Sequence, residues 1–549
     1  MRYLFLSLIS ALLLCVSWPT YGVPFFIWVA FVPLLMAEHE ISKLSSVKRK
    51  GWLVFGLSYL CFLIWNIVTT GWLYNSLNPD GSNSKMAVVF PVVVNSLLMA
   101  CTFQCYHWYK KVQGTYFGLV FFVAIWIGFE KLHLEWEFTW PWLNLGNVFA
   151  EKHQYIQWYD TVGAMGGSVW ILVVNVFSFY TVRIWEAGRV RKDLLKNLVI
   201  WLLMIVLPLS ISLWKYHNTE LKPKGSVNVV LLQPDLDPYT EKYEKDSLEI
   251  LNELLVLSEK YGKGKVDFYI APETAFPGKG AISEKGFEDN VMINKIKLFI
   301  AQQPQASFVS GISSYKIYEN PEEKSETAFM DSSGSVWLDS YNSAIQISPN
   351  KSVEVYHKAK LVPGVEIFPY INVLKPILGN VMLNMGGTVA SLGTDKERKV
   401  FTNHLNSAKI APIICYESIY GEYVTNYVKN GANLLSIMTN DSWWGYSQGH
   451  KQLLAYAKLR AIETRREIVR SANSGTSAHI NAKGDIIEDL PYGMQGAIQV
   501  KANLYDEMTI YARYGDVIPR ILLFILGFLL TYTLIKKTMQ NKSKIRLKN

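Results

Sequence analysis

Ala411-Pro412-Ile413-Ile414-Cys415-Tyr416-Glu417-Ser418 is an apolar run that halts abruptly at Cys-Tyr-Glu. It has the pattern of a buried strand delivering a side chain to the end of a sheet, where α/β folds build their active sites. Cys415 is also isolated. Of five cysteines, the other four (Cys15, Cys61, Cys101 and Cys105) lie in long apolar stretches. A lone cysteine has no disulfide partner in its own domain and is too few for a thiolate zinc site. Its role is packing or chemistry. Packing is the commoner fate of a buried thiol, so the chemical reading needs partners.

Outward from this run, composition divides the chain. Of 549 residues, 50% are hydrophobic, but unevenly spread. Met1 to about Trp214 is mostly apolar runs, Glu220 to about Tyr511 has the mixture of a globular protein, and 518–535 is apolar again before a basic tail. A bilayer crossing takes about 20 apolar residues. Eight spans are expected, near 3–19, 23–38, 52–72, 86–107, 115–132, 164–184, 196–214 and 518–536. The second is short and holds Pro24 and Pro33. The first, led by Arg2, also fits a cleaved signal peptide. A second apolar segment follows at once across Trp-Pro-Thr-Tyr-Gly, which favours a retained hairpin.

The net charge of +9 is concentrated in alternate loops. Lys43, Lys48, Arg49 and Lys50 follow span two, and Lys110 and Lys111 follow span four. Arg183, Arg189, Arg191, Lys192 and Lys196 border span six, and Lys536 to Lys548 follow span eight. The positive-inside rule then places both termini in the cytoplasm and the large domain on the outer face, the periplasm of a bacterium with a multi-pass inner-membrane protein. Topology accounts for the basic excess, which gives no reason to propose a nucleic-acid partner. The expected division is 1–220 for seven spans, 221–505 for an outer catalytic domain, and 506–549 for the last span and its basic tail.

The outer domain reads as alternating strands and helices. Strands are expected at 227–234, 266–271, 307–314, 409–414, 433–439, 468–472 and 478–481. Shorter ones at 335–339, 342–348 and 353–357 are separated by polar turns that suggest hairpins. Helices are expected at 245–261, 289–302, 421–430 and 448–467. Three strand ends carry compatible chemistry. Glu273 follows the strand 266–271, Lys358 follows 353–357, and Cys415 ends 409–414. A carboxylate can take the thiol proton, and an ammonium can lower the thiol pKa and stabilise an oxyanion, with the Tyr416 N–H as a second donor. Taken singly, Glu273 also fits a solvated turn and Lys358 a basic surface beside Lys360.

Four segments resemble the nitrilase superfamily of carbon–nitrogen hydrolases. They are Pro272-Glu273-Thr274-Ala275-Phe276-Pro277, the run from Tyr356 through Lys358 to Pro363 with Glu366, Ile414-Cys415-Tyr416-Glu417, and N-D-S-W-W-G from Asn440 to Gly445. Arg460-Ala461-Ile462-Glu463 and R-S-A-N-S-G from Arg470 to Gly475 fit the same pattern. With spans on both sides, the full chain is similar to the apolipoprotein N-acyltransferase family. The resemblance implies a nitrilase-like αββα sandwich, an α/β domain carried on an eight-helix transmembrane bundle. It implies Glu273 as general base, Lys358 as electrostatic stabiliser and Cys415 as nucleophile. Glu366 and Glu417 match two further acidic positions that orient Lys358 or assist proton transfer; Glu417 also fits a strand-end salt bridge. Tyr416 and Trp443 would line an acyl or glyceryl pocket, or be core, and Tyr243 matches an aromatic near the entrance. Arg460 and Glu463, one helical turn apart, read as a structural ion pair.

The activity so implied is ping-pong transfer of an acyl chain from a phospholipid donor, through a Cys415 thioester, to the amine of a diacylglyceryl apolipoprotein acceptor. It implies no cofactor and no metal, and the sequence has no Walker loop, H-E-x-x-H or G-x-G-x-x-G. The alternative is a membrane-tethered amidase that hands the acyl group to water. One departure stands out. Where the family often reads L-V-P-F-G-E, this chain has Leu361-Val362-Pro363-Gly364-Val365-Glu366, which keeps the glutamate's spacing and changes the loop. The apolar, Gly-rich stretch 369–389 reads as a lipid-admitting lid or as a helix packed on the core.

Overall fold

The computed structural model describes residues 1–45, 48–78, 81–188, 191–277, 281–331, 333–376, 390–403 and 405–546. They form two compact units. One comprises Met1–Gly71, Val89–Lys215 and Asp516–Asn549; the other comprises Trp72–Val88 and Tyr216–Gly515.

The first unit is helical. Among the described residues seven helices are long and apolar enough to cross a membrane: Pro24–Lys43, Lys50–Asn75, Ala87–Gln113, Thr115–Glu135, Tyr159–Glu186, Lys192–Asn218 and Val517–Gln540. An eighth apolar helix, Arg2–Ser17, has 16 residues. At 1.5 Å per residue it is about 24 Å long, near the short limit for a crossing, so the expected count of eight is approximate. The second expected span begins as a 3-10 turn at Pro24–Val29 and becomes α-helix at Val32–Lys43. Each segment has a proline in its first turn, Pro24 and Pro33, where no N–H is needed. Interlocked rings fill the centre, with Trp126 edge-on to Phe31 at 4.9 Å and tilted on Phe62 at 5.5 Å. The buried carboxylate of Glu38 is paired with His107 at 2.7 Å and with Lys110. That neutralises a charge an apolar bundle would otherwise reject.

The second unit is a two-sheet α/β sandwich. Its strands are β1 (Gly225–Gln233), β2 (Phe268–Ile270), β3 (Ile282–Ser283), β4 (Ser307–Tyr318), β5 (Phe329–Met330), β6 (Trp337–Ile347), β7 (Glu354–His357), β8 (Phe401–Thr402), β9 (Lys409–Ile414), β10 (Leu434–Thr439), β11 (Ile468–Ala472), β12 (Ser477–Ile480), β13 (Ile486–Leu490) and β14 (Gly496–Leu504). One sheet runs β14-β1-β2-β4-β6-β5, with β3 on β4 and β7 on β6; the other runs β13-β12-β11-β10-β9-β8. β1, β2 and β4 are parallel neighbours, as are β9, β10 and β11. Parallel neighbours need long crossovers. The helices Ser247–Tyr261, Val291–Ala301, Gly421–Lys429 and Gln448–Thr464 supply them.

Alternation along β1 sets the layering. Val230 and Leu232 pack with Ile250, Leu251, Leu254 and Ile296 of two crossover helices. On the other face Gln233 Oε1 accepts from Ser477 N at 3.0 Å and Ser477 Oγ at 2.6 Å, in the second sheet. Local signals set the helix starts. Asp246 caps Ser247–Tyr261 by accepting from Leu248 N, and Asn290 caps Val291–Ala301.

The expected hairpin between 335–339 and 342–348 is instead one strand, β6, paired with β4 along its whole length. Its polar residues are internal partners rather than turn residues. Asp339 accepts from Thr327 Oγ1 at 3.0 Å and Tyr341 OH at 2.9 Å, and Asn342 serves the site below. Most of the expected lid, 377–389, lies outside the described residues. In its described part Tyr370 and Val373 are exposed.

Candidate active site

The C-terminal ends of β2, β7 and β9 bring Glu273, Lys358 and Cys415 together, all buried. Lys358 Nζ donates to Glu273 Oε1 at 3.1 Å and to Glu366 Oε1 at 2.9 Å. Asn342 Nδ2 donates to the same two oxygens, each at 2.8 Å. The Lys358 N–H donates to Asn342 O at 2.8 Å, tying the end of β7 to β6. Burial alone would raise the Glu273 carboxyl, but Lys358, Asn342 and Lys242 outweigh it and hold it below the usual range. Burial would likewise lower Lys358, and Glu273 and Glu366 hold it well above the ordinary ammonium value. The pair is therefore ionised across the neutral range.

Cys415 sits at φ +47. For a residue with a Cβ this left-handed conformation costs about 1–2 kcal/mol. It turns the chain sharply from β9 into the short helix Cys415–Ile419. Burial, with the Glu273 charge adding to it, pushes the thiol well up, while Lys358 and the Thr439 hydroxyl pull it down. The resting group is thus a neutral thiol beside an ionised carboxylate. That carboxylate can take a proton as the sulfur attacks.

Glu417 makes no contact with the Lys358 ammonium. Its Oε1 accepts from Ala359 N at 2.8 Å and Tyr356 OH at 2.6 Å, and also from Tyr423 OH; its Oε2 accepts from Ile414 N at 2.9 Å. It joins the backbone just before Cys415 to the backbone just after Lys358, in place of the salt bridge weighed above. Glu366, by contrast, accepts from Lys358 with one oxygen, and its second oxygen accepts from Val362 N at 2.8 Å, closing the Gly364-Val365 loop. Arg460 pairs with Glu463 at 2.6 Å, both buried, and also donates to Ile419 O behind the cysteine turn. Tyr416 is buried against Tyr420. Half-buried Trp443 meets Tyr239 edge-on at 5.4 Å and exposed Tyr243 at 6.5 Å.

A model described as the apolipoprotein N-acyltransferase N-terminal domain matches residues 10–177, and a carbon–nitrogen hydrolase model matches residues 243–506. Across both of these regions the chain is similar to apolipoprotein N-acyltransferases. An apolipoprotein N-acyltransferase of Chlorobaculum tepidum is 29% identical over 97% of each chain. One from Geobacter metallireducens is 24% identical over 93% of this chain and 91% of its own. One from Thermotoga maritima is 26% identical over 93% and 90%.

Four residues that hold this candidate site together do not stand out in the sequence. Asn342 was placed at the edge of a turn. Lys242 lies in the charged run Thr240-Glu241-Lys242-Tyr243-Glu244, which reads as surface, yet it is fully buried. Its Nζ donates to Glu273 O at 3.0 Å and Thr274 Oγ1 at 2.8 Å. Gly311 in β4 is where the Glu273 turn crosses the strand; a Cβ there would fall 2.6 Å from Glu273 Cα. Both oxygens of Asp441 accept from Arg470 Nη2, at 3.0 and 2.7 Å, and Oδ1 also accepts from Thr439 Oγ1 at 2.8 Å. The R-S-A-N-S-G and N-D-S-W-W-G motifs marked that pair's neighbourhood without assigning the contact.

Proposed function

We propose that the protein transfers an acyl chain from a phospholipid to the α-amine of the diacylglyceryl cysteine that begins an apolipoprotein. In this reading Glu273 removes the Cys415 thiol proton as the sulfur attacks an ester carbonyl of the phospholipid. The oxyanion forms against Lys358 and the Tyr416 N–H. As the C–O bond breaks, Glu273 returns the proton to the leaving glycerol oxygen and a lysophospholipid departs. The α-amine then attacks the thioester, Glu273 takes its proton, the amide forms, and Cys415 is released and reprotonated. The apolar helices anchor the enzyme in a bacterial inner membrane. The loop charges favour a catalytic unit on the periplasmic face, where lipid and lipoprotein meet.

One observation supports this reading most: an ionised Glu273–Lys358 pair beside a neutral, strained Cys415, in a chain similar to these acyltransferases. Trp443, Tyr239 and Tyr243 supply an aromatic rim suited to acyl or glyceryl groups. The test supplies detergent-solubilised protein with a phospholipid and a synthetic diacylglyceryl-cysteine peptide. N-acylated peptide plus lysophospholipid, absent with Cys415→Ala, is the expected product pair. Free fatty acid at the same rate with and without the peptide would assign an amidase-like hydrolase instead.

A further inference from the structure

Lys242 has no step in the acyl-transfer chemistry, yet it is an ammonium with no solvent exposure. Lysines are almost never fully buried unless paired with a carboxylate. Among the described residues Lys242 has none within ion-pair distance. Its partners are two neutral oxygens, Glu273 O at 3.0 Å and Thr274 Oγ1 at 2.8 Å. Both belong to the one turn that presents the base. That turn is under constraint, since Thr274 is held at φ +43 and Gly311 leaves no room behind Glu273. The charges also balance: the Glu273 and Glu366 carboxylates face Lys358, and Lys242 supplies a second cation on the Glu273 side.

We propose that Lys242 is a positioning residue for the base, fixing the 273–274 turn and supplying the positive charge that keeps Glu273 ionised, ready to take the Cys415 proton. The proposal rests on the acyl-transfer reading. The groups acting on Glu273 are Lys358 beyond β7, Asn342 in β6 and Lys242 itself; Glu273 in turn bears on Cys415 beyond β9 and on Tyr243, and Glu366 shares its lysine. Lys358 alone would leave two carboxylates against one ammonium. Burial also draws the Lys242 ammonium down to about 8, against the pull of Glu273 and Cys415. Its charge is therefore lost at mildly alkaline pH.

The experiment follows acyl-enzyme formation on Cys415 by mass, with full-length protein and phosphatidylethanolamine in mixed micelles from pH 4 to 10. Wild type is compared with Lys242→Met and Lys242→Arg. Lys242 is one of the charges that lower Glu273, and removing a cation close to a carboxylate moves that carboxylate up by about one pH unit or more. Lys242→Met is expected to shift the acid limb upward by that amount and to slow acylation about tenfold or more. Lys242→Arg keeps its charge, so it is expected to hold the wild-type acid limb. A folded Lys242→Met with the wild-type acid limb would overturn the proposal. So would a folded Lys242→Arg whose acid limb moves upward although its charge is kept, the deciding result if Lys242→Met does not fold. Absence of any adduct on wild type would overturn the acyl-transfer reading itself, and the proposal with it.

Discussion

Replacing Glu417 separates anchoring from chemistry at this site. The carboxylate has no exposure and accepts from Ile414 N at 2.9 Å, Ala359 N at 2.8 Å and Tyr356 OH at 2.6 Å, with Tyr423 OH as a further donor. In Glu417→Ala the two tyrosines can turn toward each other, because their hydroxyls already meet at 2.6 Å. The two backbone N–H groups cannot move. At about 1–3 kcal/mol for each buried donor left unmade, the loss is about 2–6 kcal/mol. That is a large share of an ordinary domain's ~5–15 kcal/mol. At roughly 2–4 °C per kcal/mol the melting temperature should fall by roughly 5–20 °C. Glu417→Gln keeps an acceptor for one backbone N–H and turns a donor on the other, so it should fall between. The assay is thermal unfolding in detergent, with iodoacetamide labelling of Cys415 as a report on the turn. A Glu417→Ala protein with wild-type melting and no acyl transfer would refute the anchoring role and place Glu417 in proton transfer.

Lys358→Met leaves buried Glu273 and half-buried Glu366 without their shared cation, so burial prevails and the Glu273 carboxyl rises. Acylation should drop by about 10²–10³ and its acid limb should move to higher pH, read from rate against pH. Gly311→Ala would push the Glu273 turn off the sheet, and an acylation loss approaching 10² from about 1 Å of displacement is expected by the same mass assay. Stability should vary with pH in a definite direction. Glu273 is depressed in the folded state, so its contribution is present above its unfolded value of about 4.3 and is lost as pH falls through the lower folded value. Lys358 is raised, so its contribution is present below about 10.4 and is lost only as pH rises through the higher folded value. Melting temperatures measured from pH 3 to 11 should therefore show this pair failing at the acid end before the alkaline end, and Lys358→Met should flatten both edges.

Much of the site was legible because chemistry in an α/β unit collects at strand ends. Glu273 and Cys415 each follow a short apolar run, and Lys358 follows the alternating Val353-Glu354-Val355-Tyr356-His357, so all three read as strand ends. What escaped were groups whose neighbours in sequence point the wrong way. Lys242 sits among charged residues and is buried by contacts with 273–274, more than thirty positions on. Asn342 is polar inside a strand, and nothing local marks that two carboxylates await it. β14 was not assigned from sequence either; it pairs with β1 across almost the whole second unit, from Gly225 opposite Leu504 to Gln233 opposite Gly496. Such a register is set by long-range packing rather than by local pattern. From the sequence, 73–85 reads as a loop between spans, with Trp72 and 86–88 inside them. In the structure 72–88 belongs to the second unit, where Trp72 Nε1 donates to Gln452 Oε1 at 3.2 Å and its ring meets Trp444 at 4.7 Å.

The central claim is a covalent acyl-enzyme on Cys415 that waits for an amine. Intact mass of the purified protein after incubation with a defined phospholipid tests it most directly. A single hydroxylamine-labile acyl adduct is expected on wild type and not on Cys415→Ala. It should persist in water and discharge when a diacylglyceryl-cysteine peptide is added. No adduct on folded protein across varied phospholipids, or an adduct that water clears as fast as the peptide does, would contradict the account.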